Sequence, residues 1–210
     1  MKVSILFACI AGFLLNDQIV SGADWGQFRG PLGNGMAVDS NPPINWSSNQ
    51  NVKWKIMVPG QGWSSPVIGG GRVYLTAAVP SGDGHTLKAI GFDSQTGKPI
   101  WDTVVFKQPG DAPGIHGKNS HASPTPILVD GRLYVHFGHQ GTACLDLDGE
   151  VIWKNADLFY APVHGNGGSP VVDGDKLFFS VDGSTEAYVI ALSTETGEVV
   201  WKFERDVEAG

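Results

Sequence analysis

Apolar and polar residues alternate with a period of two over short runs, and the runs come in a repeating order. Pro66-Val-Ile-Gly-Gly-Gly-Arg-Val-Tyr-Leu predicts a strand, a glycine turn and a second strand. The same pattern returns at Pro126-Ile-Leu-Val-Asp-Gly-Arg-Leu-Tyr-Val and at Pro170-Val-Val-Asp-Gly-Asp-Lys-Leu-Phe-Phe. The Asp-Gly pairs 130–131 and 173–174 suit tight turns, because glycine accepts a positive φ without steric cost. A third strand follows each hairpin, at Lys88–Phe92, Thr142–Leu147 and Ala187–Leu192. A turn through Gly97, Gly149 or Gly197 then leads to a fourth strand carrying Trp101, Trp153 or Trp201, each four residues after its glycine. Val52–Val58, with Trp54, predicts a further strand that resembles such an outer strand without the inner three before it. No run has the 3.6-residue period of a long amphipathic helix.

Trp54, Trp101, Trp153 and Trp201 recur at intervals of roughly 50 residues, a period typical of arrays and propellers. One four-stranded antiparallel unit leaves most of its apolar side chains exposed. Stacking units face to face around an axis buries them, which is the logic of a propeller blade. The fold class expected is therefore all-β: a β-propeller of four-stranded antiparallel blades at about 64–106, 121–158 and 167–206, with Val52–Val58 as an N-terminal closing strand. Three blades are fewer than the four to eight of closed propellers, so an incomplete set is expected, with closing partners beyond Gly210. The four tryptophans are assigned to packing between blades.

Composition refines this only at the margins. The 210 residues include 29 Gly and 13 Pro, with 17% charged residues and a net charge of −7. The acidic balance argues against nucleic acid as a partner. Lys2, the apolar run Val3–Leu15 and the small residues Ser21-Gly22-Ala23 read as a signal peptide over 1–23. The run is too short to span a bilayer comfortably, so no transmembrane segment is expected after cleavage. Cleavage would leave one cysteine, Cys144, in a strand pattern, where it reads as a small buried apolar residue. Residues 24–51 read as an irregular lead-in, fixed to the body by Trp25, Phe28 and Trp46. Asn45-Trp-Ser fits a glycosylation acceptor.

The pattern Ala/Gly-x-Asp/Ser-x-x-Thr-Gly-x-x-x-Trp, followed by a Ser-Pro or Thr-Pro strand, resembles the PQQ-like β-propeller repeat. The resemblance covers Val52 to about Phe203. That family includes quinoprotein alcohol dehydrogenases and a non-catalytic propeller of outer-membrane protein assembly. The resemblance implies a propeller and leaves its function open between these two. In the dehydrogenases, PQQ is held by an adjacent-cysteine disulfide ring, a Ca²⁺ bound by acidic and amide side chains, and a catalytic Asp. The sequence has no Cys-Cys pair, and no cofactor position can be carried over.

Five of the six histidines fall between 116 and 164. His116, His121 and His164 lie in loops leading into a first strand. His85 and His139 lie in loops joining a second and a third strand, and these two loop types open on one face. His136 lies within a strand. The candidate loop-face site is therefore Trp63, His116, His121, His139 and His164, with Asn119 and Asn166 nearby. Imidazoles that converge can hold a transition metal, so a metal-dependent enzyme using His116, His121 or His164 is one reading. Loop histidines on adjacent blades can also stand too far apart for shared coordination, and they have no carboxylate partner in sequence. No catalytic, cofactor or metal residue is assigned. The expectation is an exported, periplasmic or secreted, non-catalytic binding or assembly scaffold with no cofactor, engaging a protein or envelope component. The alternative is a PQQ-dependent oxidoreductase with its cofactor residues beyond Gly210.

Overall fold

The computed structural model describes residues 24–37, 40–158, 160–184 and 186–206, so the signal peptide read over 1–23 lies outside the described residues. Among the described residues, twelve strands form three four-stranded antiparallel sheets, each in sequence order. The first blade holds β1 (Val67–Gly69), β2 (Arg72–Ser81), β3 (Gly84–Asp93) and β4 (Pro99–Gln108). The second holds β5 (Ile127–Val129), β6 (Arg132–His136), β7 (Thr142–Asp146) and β8 (Val151–Asn155), with a 3₁₀ turn at Gly138–Gln140 between β6 and β7. The third holds β9 (Val171–Asp173), β10 (Lys176–Asp182), β11 (Ala187–Ser193) and β12 (Val199–Glu204). The alternation read from the sequence is what lets both faces of a blade be buried. On β3, Leu87 and Ala89 face the second blade, whereas Ile90 and Phe92 face the other way. On the second blade, Leu133, Val135 and Leu145 face the first, and Tyr134 and Cys144 face the third.

Val52–Val58, expected as a closing strand, makes no ladder among the described residues. Its alternation survives, because Trp54, Ile56 and Val58 pack on Val73, Ala77, Ile90 and Phe92 of the first blade. Side-chain burial holds the segment there without a neighbouring strand. The turn of the third hairpin also shifts by one residue. Asp130 and Gly131 occupy the centre of the β5–β6 turn, both at positive φ. In the β9–β10 turn Asp173 pairs with Lys176, so the centre is Gly174-Asp175. Of the lead-in aromatics, only Trp25 is tied to the body by backbone bonds, exchanging two with Ile68 of β1. Phe28 is half-exposed and Trp46 is 77% exposed.

The glycine and tryptophan of the repeat serve different neighbours. Trp101 sits opposite Gly91, Trp153 opposite Cys144 and Trp201 opposite Ala191, so a small residue on the third strand makes room for each ring. Cys144 is thus wholly buried for its size, and burial pushes its thiol up to about 11. In every blade one residue of the outer strand is left over beside the tryptophan, at Ile100, Ile152 and Val200, forming a bulge at the same place. The ring then docks on the next blade. Trp54 Nε1 donates to Ser94 O at 2.9 Å, Trp101 to Leu147 O at 2.8 Å and Trp153 to Thr194 O at 2.9 Å. A Cβ on Gly97 or Gly149 would stand 2.6 Å from the ring of Trp54 or Trp101, and Gly197 meets Trp153 in the same way. These three glycines also have positive φ, so the turn and the close approach both require them.

The inner edges are stitched as well. The Ser65 amide donates to Thr125 Oγ1 at 3.1 Å, and the Thr125 amide to Ser169 Oγ at 3.0 Å. The hydroxyls before the strand-opening prolines of the second and third blades are therefore inter-blade acceptors. Arginine reinforces the outer dock: Arg72 donates to Leu147 O and pairs with Asp148, and Arg132 donates to Thr194 O. Arg72 is half-buried while Asp148 is exposed. Arg72→Ala is expected to cost about 1.5–3 kcal/mol as a lost charged hydrogen bond. Asp148→Ala is expected to cost under about 1 kcal/mol, as for exposed ion pairs. Urea titration of both variants checks this, and equal losses would count against it.

Candidate functional site

The loops leading into the blades meet on one face and are bonded to each other. Both Trp63 and Ser64 amides donate to Ala122 O, at 3.1 and 3.2 Å. The His116 amide donates to His164 O at 3.2 Å, and Asn119 Nδ2 reaches the same carbonyl at 3.0 Å. Asn119 Oδ1 accepts from the Ser123 hydroxyl and from the Ser120 amide. Short polar residues fold this loop back on itself, because their side chains bond nearby backbone groups.

The histidines do not form one ring. His116 and His164 face each other edge to face at 5.6 Å between ring centroids, and His85 and His121 lie 4.5 Å apart. His85 sits within β3, not in the loop expected for it. His121 Nδ1 bonds Gln108 Nε2 at 3.0 Å, and burial together with the neighbouring His85 lowers its affinity for a proton. His139 lies in the 3₁₀ turn, where its Nδ1 bonds Asn166 Nδ2 at 3.1 Å. Burial pushes His139 down to about 4, and His121 adds to the effect. His136 is buried within β6, bonded to Thr142 Oγ1 at 2.8 Å and stacked on Phe179 at 4.3 Å. Its pKa falls to about 3 through burial, with His139 contributing. Among the described residues, no three His, Cys, Asp or Glu side chains come together as a metal-binding group.

Trp63 belongs to something else. Its side chain, 65% exposed, lines an open groove of about 460 Å³ together with Phe28, Lys118 and Asn119. Ser123, Thr125, Gly167, Gly168 and Ser169 complete the lining. The same two glycines border a polar cavity of about 100 Å³ that includes His136, Tyr160, Asn166 and Asp182. A larger hollow of about 640 Å³, between Asn41–Ile44 and Asn51–Lys53, lies in the lead-in away from this face. The sequence pointed to Trp63. It did not point to Phe28, Lys118 or Thr125, which come from three separate segments without a shared motif.

Among the described residues the one cysteine, Cys144, is a buried free thiol. No helix among the described residues is long and apolar enough to cross a membrane.

The chain is 32% identical to methanol dehydrogenase [cytochrome c] subunit 1 of Methylobacterium organophilum, over 44% of this chain and 17% of that protein. It is 30% identical to the same subunit of Methylorubrum extorquens, with the same coverage. The chain therefore matches less than a fifth of the length of these curated relatives. Among solved structures, quinohemoprotein alcohol dehydrogenase from Comamonas testosteroni is similar at a TM-score of 0.51 and 21% identity, over 70% of this chain and 21% of that one. BamB from Moraxella catarrhalis gives a TM-score of 0.46 and 20% identity, over 74% of this chain and 42% of that one. The first of these likenesses supports the propeller fold alone. A family model described as outer membrane protein assembly factor BamB matches residues 44–179 and 141–209. With its three tryptophan-docked blades, the chain belongs to that family of PQQ-like β-propeller repeats.

Proposed function

We propose that this chain is part of an exported, non-catalytic propeller scaffold whose loop face binds a component of the cell envelope. The observation that carries this reading is the groove at Trp63. An exposed aromatic ring, hydroxyls, an amide and one ammonium converge there on rigidly stitched loops. Such a lining is suited to holding a ligand, and it contains no imidazole, carboxylate or thiol to move a proton. The family's description as an assembly factor supports a place in the envelope. Hydrogen exchange of the chain with and without a solubilised envelope extract tests the reading. Protection is expected in 61–64, 116–125 and 163–169, and protection confined to other segments would count against it.

A second reading has one observation in its favour, the identity to methanol dehydrogenase subunit 1. Incubation with PQQ and Ca²⁺, followed by a dye-linked alcohol oxidation assay, separates the two. The scaffold reading expects no turnover above the protein-free control.

A further inference from the structure

The groove also limits the chemistry of what it takes, and this step rests on the loop face being a binding face. Trp63 and Phe28 present aromatic surface to an open, otherwise polar channel. The groove is open, so both rings stay accessible to a ligand laid along it. It offers aromatic faces beside hydrogen-bonding groups, which matches a sugar, with C–H bonds on its faces and hydroxyls on its rim. Thr125 is 2% exposed, and its oxygen accepts the Ser65 amide. Ser169 Oγ accepts the Thr125 amide. Neither hydroxyl donates within the described residues, so both retain an O–H hydrogen in the groove lining. Lys118 is the one charged side chain of the lining. A carboxylate on the ligand complements it.

Gly167 and Gly168 supply an independent observation. A Cβ on either would meet nothing within 4 Å, and neither has a positive φ. Backbone strain and packing therefore do not require glycine at these positions. Both glycines line the groove and the polar cavity alike, and a side chain on either would project into open space there.

We infer that the groove between Trp63, Phe28 and Lys118 is a binding cleft for an acidic saccharide, a chain of uronic acid residues passing over Gly167-Gly168. Calorimetric titration of the chain with tetragalacturonate, maltotetraose and tetraglutamate tests it. Tetragalacturonate is expected to bind most tightly. Trp63→Ala is expected to weaken it about tenfold or more. Lys118→Gln is expected to bring the acidic and neutral saccharides to similar affinity. Gly168→Leu is expected to abolish binding while the melting temperature stays unchanged, because its side chain fills open space. Absence of tetragalacturonate binding, tetraglutamate binding more tightly, or Gly168→Leu binding like the parent would each overturn the inference. If envelope extract protects the groove loops and tetragalacturonate does not bind, the saccharide class falls and the binding-face reading stands.

Discussion

Trp153→Ala is expected to destabilise the protein by about 3–5 kcal/mol, the range for truncating a large buried aromatic. The ring is 8% exposed, donates to Thr194 O and packs with Tyr134 in the core between the second and third blades. The truncation therefore opens a cavity and removes one of three donors to the Thr194 carbonyl, which Arg132 and Tyr134 also reach. Gly197→Ala attacks the same contact from the other blade. Its methyl group would collide with the Trp153 ring and would also force a residue with a side chain to a φ of 75°. Backbone strain alone is worth about 1–2 kcal/mol. In a Trp153→Ala background the collision disappears and only the strain remains. The double variant is thus expected to be more stable than the sum of the single losses predicts, by about 1 kcal/mol or more. Denaturant titration of all four proteins measures this, and strict additivity would show that ring and glycine do not sense each other.

Acid is expected to act through His136. The folded protein holds this imidazole neutral, with a pKa near 3, against 6.5 when the chain is unfolded. The unfolded chain therefore takes up the proton first. The stabilisation is complete above about pH 6.5 and drains away as the pH falls toward 3. Linkage puts the loss at about 2 kcal/mol at pH 5 and about 4 kcal/mol at pH 3. His139, depressed to about 4, adds to it in the same window. His136→Gln removes the titration and retains a polar group opposite Thr142. Its stability, measured by urea titration from pH 7 to pH 4, is expected to fall less steeply than that of the parent. An identical slope would assign the acid sensitivity elsewhere.

The sequence displays what a blade needs from its own residues. Alternation and the glycine turns are local, so the order of the twelve strands could be read, although β2 runs on to Ser81 and β3 begins at Gly84, taking in His85. What one blade needs from the next was hidden. Gly97 looks like a partner of Trp101, four residues on, but its contact is Trp54. The second blade also reaches its glycine one residue sooner, so Cys144, not Ala143, takes the place of Gly91 and Ala191. Strand pairing reveals that offset; counting residues does not. The candidate site suffered most. Its histidines meet in ring contacts, His116 with His164 and His85 with His121, while His121 and His139 also bond amide side chains. Phe28, Lys118 and Thr125 gain meaning only where three segments converge.

The docking of tryptophan on glycine has a direction. Every junction joins a protruding ring to a concave turn, and the two halves are unlike. Trp201, 40% exposed on β12, is a ring of the protruding kind. Such a surface cannot be self-complementary, so a twofold pairing of two copies through their Trp201 faces would set ring against ring. Whatever covers that face by this contact must arrive head to tail and bring a glycine turn of its own.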